Sequence, residues 1–429
     1  MKKISWKDKN FEKVFESLCR GELYPPEIEK DVREILERVR RDGDNALLYY
    51  AKKFDGADLR KTGITVPPEA AADAAKTLSP NAKAAIKAAV KNVSAFASRR
   101  KPSGWTCHPR PGVTLGERFE PLDRAGVYVP GGTAPLVSTV VHTAAIANAA
   151  GVPSIAACTP PGPDGHTHPA VLCAMEMSGV TEIYRLGGVY AVAAMAFGTE
   201  TVKRVEKIVG PGNAYVTAAK KLVYGPTAID MVAGPSEIMI LADKTCDPEF
   251  AAADMLSQAE HGSGHERVLF VSDSEAVIDA ASRALKRQAA ALSRFEHIKK
   301  VLDKGAFFIL AKSMDHAAEL AGRRAPEHLE LMCAGAEKLA GRIKAAGAVF
   351  IGQWTPEPVG DFCAGPSHVL PTAGTARHFS GLSIESFFRR TSLIKYSKTA
   401  LRKELPFIMK FAEMEGLDAH GASAAARFK

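Results

Sequence analysis

Glu182-Ile183-Tyr184-Arg185-Leu186-Gly187-Gly188 is a short apolar run closed by paired glycines, and its form recurs on either side. Upstream, Ser154-Ile155-Ala156-Ala157-Cys158 gives way to the loop Thr159-Pro160-Pro161-Gly162-Pro163-Asp164-Gly165 and then a helical stretch near 168–178. Downstream, a second helical stretch leads to Lys207-Ile208-Val209 and the turn Gly210-Pro211-Gly212-Asn213. Earlier still, Ala125–Val129 ends in Pro130-Gly131-Gly132 and a helix-like stretch over 138–150. Later apolar runs fall at Ile238–Leu241, Val268–Val271, Phe307–Leu310 and Ala348–Ile351. Strands alternating with helices predict an α/β fold with mainly parallel sheets.

The flanks differ. Residues 1–25 read as a short amphipathic arm, and Pro25-Pro26 opens a helix with Ile28, Val32, Ile35 and Val39 on one face. The stretch 68–98 is alanine-rich and helical. After the Gly/Pro-rich segment 359–381, the tail from 382 to 429 reads as a separate, mostly helical, basic unit. At 429 residues the chain is too long for one ordinary domain, which predicts two or three.

Composition narrows the classes. With 46% hydrophobic and 24% charged residues, the chain reads as a soluble globular protein. No apolar run approaches the roughly 20 residues a membrane helix needs. Met1-Lys2-Lys3-Ile4-Ser5-Trp6 continues polar, without an apolar signal core, so a cytoplasmic location is expected. The net charge of +8 is dispersed. Clusters such as Arg38-Val39-Arg40-Arg41 and Arg99-Arg100-Lys101 read as solvated helix faces, and nucleic acid is not an expected partner. Seven cysteines, none in a Cys-x-x-Cys pair, argue against a disulfide framework and announce no metal.

Several clusters can carry chemistry. The turns at Gly131-Gly132, Gly187-Gly188 and Gly210-Pro211-Gly212 each follow a strand-like run, where glycine lets a backbone approach a ligand or simply makes a turn. In Ser257-Gln258-Ala259-Glu260-His261, Gln258 and His261 share a helix face, which suits a metal or a solvated polar surface; His265 is a further candidate beyond Gly262-Ser263-Gly264. Ala325-Pro326-Glu327-His328-Leu329-Glu330 sets a carboxylate beside an imidazole, an acid/base pair able to take an alcohol proton. Gly360-Asp361-Phe362-Cys363-Ala364-Gly365-Pro366-Ser367-His368 is either a functional loop or an Asp-stabilised turn. Glu413–His420, taken alone, is a charged helix end.

In order and over nearly the whole chain, these segments resemble the histidinol dehydrogenase family. The most specific stretches are Val209–Val216, Ile229–Glu237, Leu256–His261, Ala325–Glu330, Gly360–Arg377 and Glu415–His420. The resemblance implies two incomplete Rossmann-like domains, one of residues 26–128 and 238–381, the other of 129–237, with the N-terminal arm and a helical C-terminal dimerisation domain. It implies NAD- and zinc-dependent four-electron oxidation of L-histidinol, through the aldehyde, to L-histidine, at the end of histidine biosynthesis. Zinc is expected on Gln258, His261, Asp361 and His420, donors that suit a borderline cation. Glu327 and His328 are the implied acid/base pair. Substrate contacts are implied from Ser236, His368 and Glu415, together with Gln258, His261, His328, Asp361 and His420. NAD is implied near Tyr128, Tyr190 and Asn213. Family members are homodimers, and by analogy Glu415 and His420 come from the partner.

Three departures bear on cofactor and substrate. Tyr190 stands where many members have glutamine, His142-Thr143 where a Met-Asn pair is usual, and Phe362 where tyrosine is common. One alternative is a same-scaffold dehydrogenase of another small alcohol, such as a sulfonated propanediol; a sulfonate wants a cation where histidinol wants Glu415. Another is a non-catalytic, zinc-stabilised protein that binds a partner or nucleic acid.

Overall fold

A strand buried on both faces of a parallel sheet needs a continuous apolar run, and Glu237–Ala242 is one: all six residues are buried. The computed structural model describes residues 1–21, 23–131, 135–261 and 264–428. Of the glycine turns, Gly132 lies outside the described residues, as do Gly262 and Ser263. Along the described residues the strands are β1 (Lys2–Ser5), β2 (Trp105–Arg110), β3 (Val113–Pro121), β4 (Arg124–Tyr128), β5 (Ser154–Thr159), β6 (Glu182–Arg185), β7 (Lys207–Val209), β8 (Ala228–Ile229), β9 (Glu237–Ala242), β10 (Arg267–Ser272), β11 (Ala306–Leu310), β12 (His328–Met332), β13 (Ala348–Ile351) and β14 (Phe388–Tyr396).

The chain divides into two compact units, residues 1–99 with 123–387, and 100–122 with 388–429. The first contains both parallel sheets, which bears out the α/β expectation. One sheet runs β1-β11-β10-β9-β12-β13 and the other β6-β5-β4-β7-β8, every pairing parallel. Period-two alternation sends Ile238 and Ile240 to one face of the six-stranded sheet and Met239 and Leu241 to the other. Helices Pro248–Ala259, Glu275–Ala289 and Phe295–Gly305 cover the first face; Phe11–Cys19 and Met314–Arg324 cover the second.

The expected domain boundaries need correction at three places. The N-terminal arm is part of the six-stranded sheet, because Lys2–Ser5 pairs with β11 as an edge strand and Phe11, Phe15 and Leu18 enter its core. Residues 28–50 belong with the five-stranded sheet, since Val32, Leu36, Val39, Leu47 and Tyr50 bury against Tyr128, Ala156, Leu186 and the helix Gly188–Phe197. β4 is that sheet's central strand, so its start precedes residue 129.

The second unit is less helical than its sequence reads. β14 pairs antiparallel with β3, from Phe388 opposite Pro121 to Tyr396 opposite Val113, and β2 completes a three-stranded sheet. Helices Lys398–Glu415 and Asp418–Ala425 follow, the first capped by the Ser397 hydroxyl. Residues 382–387 stay in the first unit, where Leu382, Ile384 and Phe387 are buried. No described helix is long and apolar enough to cross a membrane.

Candidate active site

Two neighbouring strand starts hold the central carboxylates. β9 and β12 are adjacent, with His328 opposite Ile238, so Glu327 stands beside Glu237. The Glu237 N–H donates to Glu327 Oε2 at 2.9 Å, and the Glu327 N–H donates to Glu237 Oε1 at 3.3 Å. Arg324, at the end of helix Met314–Arg324, forms an ion pair with Glu237. The Ser236 hydroxyl donates to Glu327. Burial pushes the Glu327 pKa well above the ordinary carboxylate range.

His328 opens β12 and is 2% exposed. Its Nδ1 lies 2.9 Å from Gln258 Oε1, which favours the tautomer with the proton on Nδ1. The lone pair is then on Nε2, 2.8 Å from His368 Nε2. The two rings stack, with centroids 4.6 Å apart. Burial, with the positive charges of His368 and His261 adding to it, holds the His328 pKa well below its usual value. His328 is therefore neutral near neutrality, as a base must be.

His368 behaves oppositely. Burial works against its charge, but hydrogen bonds to Asp361 at 2.7 Å and Glu357 at 3.3 Å outweigh burial and raise its pKa to about 10. Asp361 is the counterpart. Burial would raise it, yet the His368 hydrogen bond and nearby histidine charges bring it to about 2. His261, just past helix Pro248–Ala259, is exposed and close enough to act electrostatically on both His328 and Asp361. The expected residues Ser236, Gln258, His261, Glu327, His328, Asp361 and His368 are thus brought together.

This nest fits a divalent cation of the zinc type. Nitrogen and oxygen donors converge, among them the imidazoles of His328 and His368 and the carboxylates of Glu357 and Asp361. The tightest trio of possible ligands among the described residues is His328, Glu357 and His368, a different set from the one expected.

The sequence reading missed Glu357. It is 2% exposed, accepts from the Ser257 hydroxyl at 3.0 Å and touches His368. Following Pro356, it looks like an ordinary first-turn acid of a helix. Behind it lie Glu330 and Asp254, hydrogen-bonded to each other. Burial raises both, Asp254 to about 6, so the pair shares protons near neutrality.

The glycine turns lie at the C-terminal edge of the five-stranded sheet. Tyr128 ends β4, and its hydroxyl accepts from the Gly188 N–H at 2.9 Å. Gly210, after β7, has φ +120°, and a Cβ there would meet the Tyr128 carbonyl oxygen at 2.2 Å. The buried pair Lys220–Asp230 clamps this turn. Asp230 accepts the Gly210 N–H at 2.8 Å, and Lys220 donates to the Gly210 carbonyl at 2.8 Å. Asn213 caps helix Ala214–Val223, accepting from the Tyr215 and Val216 N–H groups. Tyr190 is closed off in the core at 1% exposure, its hydroxyl donating to Asp55.

The departures have definite places. His142, in the helix after β4, donates its Nε2–H to the Asp361 carbonyl at 2.8 Å; burial takes its pKa to about 4. Thr143 is buried and bonds back to the Thr139 carbonyl, whereas Phe362 is exposed. Glu415 and His420 are exposed residues of the second unit.

The comparisons agree with this geometry. Residues 19–428 match the histidinol dehydrogenase family model. A histidinol dehydrogenase of Symbiobacterium thermophilum is 45% identical over 404 residues, covering 94% of this chain and 92% of that one. One of Brucella suis is 45% identical over 422 residues, covering 98% and 97%. The crystal structure of histidinol dehydrogenase from Elizabethkingia anophelis superposes with a TM-score of 0.93 at 35% identity, covering 100% of this chain and 98% of that one. The chain is an oxidoreductase that belongs to the histidinol dehydrogenase family.

Proposed function

We propose that the chain oxidises L-histidinol through L-histidinaldehyde to L-histidine, using one zinc ion per subunit and two molecules of NAD per turnover. The observation that carries this reading is the adjacent pair Glu327 and His328, whose pKa values burial drives in opposite directions. One group is a neutral base and the other a carboxyl well suited to carry a proton, which is what successive alcohol and aldehyde oxidations ask of a site.

When bound, NAD supplies the hydride acceptor and zinc, on Gln258, His261, Asp361 and His420, supplies an anchor for the substrate's nitrogen donors. His328 Nε2 accepts the proton of the substrate hydroxyl. Glu327, in its ionised form, accepts a proton from water as that water adds to the aldehyde. His368, held protonated by Asp361 and Glu357, presents positive charge to the forming carboxylate. Keeping these groups buried excludes bulk water from the aldehyde stage. Tyr128, the Gly210–Asn213 turn and the Tyr190 region form the dinucleotide edge.

The enzyme works as a cytoplasmic homodimer in which the partner supplies Glu415 and His420. Support comes from the second unit itself. Phe407, Phe411 and Met414 lie on one helix face at 65%, 61% and 63% exposure, an apolar surface of the kind that marks an interface.

The test is NADH formed per L-histidinol consumed by zinc-loaded protein, with a chelator-treated control. Two NADH per substrate, lost on chelation and restored by zinc, is the expected result. Zinc and NAD binding without turnover of histidinol, but with turnover of another small alcohol, would replace the substrate while keeping the site.

A further inference from the structure

The start of the β9–β12 ladder is unusual. Two parallel strands ordinarily exchange main-chain N–H and carbonyl groups. At this rung each main-chain N–H goes instead to the other residue's carboxylate: Glu237 N–H to Glu327 Oε2, and Glu327 N–H to Glu237 Oε1. The Glu327 carbonyl is used elsewhere, accepting from Ala348 at 2.8 Å. Glu327 is thus held at both its main chain and its carboxylate by a single residue.

Glu237 is itself fixed. It is 2% exposed, and its other oxygen is paired with Arg324, also 2% exposed. Arg324 lies three residues before Glu327 on the same connection, so the ion pair ties the end of helix Met314–Arg324 to the start of β9 across the start of β12. Two carboxyl groups side by side in a buried place repel when both are charged. One guanidinium, committed to Glu237, leaves Glu327 as the group free to exchange a proton. Neither Glu237 nor Arg324 reaches the His328–His368 pair through any hydrogen bond among the described residues.

We propose that Glu237 and Arg324 are positioning residues that aim the Glu327 carboxylate, and that their loss falls on aldehyde oxidation more than on alcohol oxidation. This rests on the assignment of Glu327 to water activation. The chemistry explains the asymmetry. His328 takes the alcohol proton from its own place on β12, held by Gln258, whereas the Glu327 main chain, and through it the carboxylate, is placed by the Glu237 side chain, whose Oε1 accepts the Glu327 N–H. An error of about 1 Å in such a group costs roughly a hundredfold in rate.

The experiment measures kcat and KM of the zinc-loaded holoenzyme with L-histidinol and, separately, with L-histidinaldehyde. It uses Glu237→Leu, the double variant Glu237→Leu/Arg324→Met, and Glu327→Gln as reference, leucine removing the oxygen that accepts the Glu327 N–H. The double variant removes the ion pair without stranding a buried charge, so it stays informative if Glu237→Leu alone does not fold. The expected result is a fall in aldehyde kcat about tenfold larger than the fall in alcohol kcat, with zinc content and aldehyde KM little changed. A merely structural role would lower both kcat values alike, and that outcome overturns the proposal. If Glu327→Gln itself slows both reactions equally, the assignment of Glu327 fails. If Glu327→Gln is selective and the Glu237 variants are not, only the positioning role fails.

Discussion

In the six-stranded sheet the N-terminal ends of β9 and β12 carry the acid/base residues, and in the five-stranded sheet the C-terminal ends of β4, β6 and β7 carry the glycine turns. The second arrangement follows the usual rule for ligands in open α/β sheets; the first does not. Their chemistry differs accordingly. The N-terminal edge offers titratable side chains, Glu327, His328 and, behind them, Glu357, Glu330 and Asp254. The C-terminal edge offers backbone and glycine, with the buried acid Asp230 neutralised by Lys220. Titratable groups gather where strands begin, and glycine turns gather where strands end.

The comparison can be broken most sharply at His328. His328→Ala should lower kcat by about 10²–10⁴-fold in both half-reactions, the range for a lost general base. A loss confined to the aldehyde step, measured with each substrate separately, would move the first proton transfer to another group.

Next in size is the other edge. Asp230→Asn strands the buried Lys220 and should cost about 3–5 kcal/mol in denaturant unfolding. It should also raise the KM for NAD, because the Gly210 turn loses its anchor. Lower stability with an unchanged KM would show that this edge does not seat the cofactor.

The smallest effect has the opposite sign. Asp254 has its pKa raised to about 6 by burial, above its unfolded value. Its contribution to stability is present below the unfolded pKa and is lost as pH rises through about 6. Asp254→Asn should therefore raise Tm at pH 8 by roughly a few degrees and flatten the pH dependence between about 4 and about 6. A Tm at pH 8 that falls would mean that the Asp254–Glu330 pair is stabilising in its ionised form.

The sequence exposed the groups that chemistry places in compact motifs. Glu327-His328, Gln258 with His261, and Asp361 with His368 are each legible within ten residues, and the strand–helix alternation announces both parallel sheets. It hid whatever depends on long-range pairing. Glu357 and Asp254 look like solvated helix acids until Ser257, His368 and Glu330 surround them. Arg324 reads as a helix-ending base that suits the dipole, yet it is buried against Glu237, whose sequence position is far away. Lys2-Lys3-Ile4-Ser5 is too polar to read as a strand, but an edge strand needs only its backbone to pair. Phe388–Tyr396 finds its partner about 270 residues upstream, in β3, where no local signal points.

The carboxylate exchange at the start of β9 and β12 also bears on how activity is gained. Glu237 and Glu327 are 90 residues apart, and such distant pairings are slow to form relative to local helices. A chain whose helices have formed but whose two strands have not yet zipped has no aimed carboxylate. Glu327 therefore gains its fixed place only at one of the later events of folding, when β9 and β12 have paired.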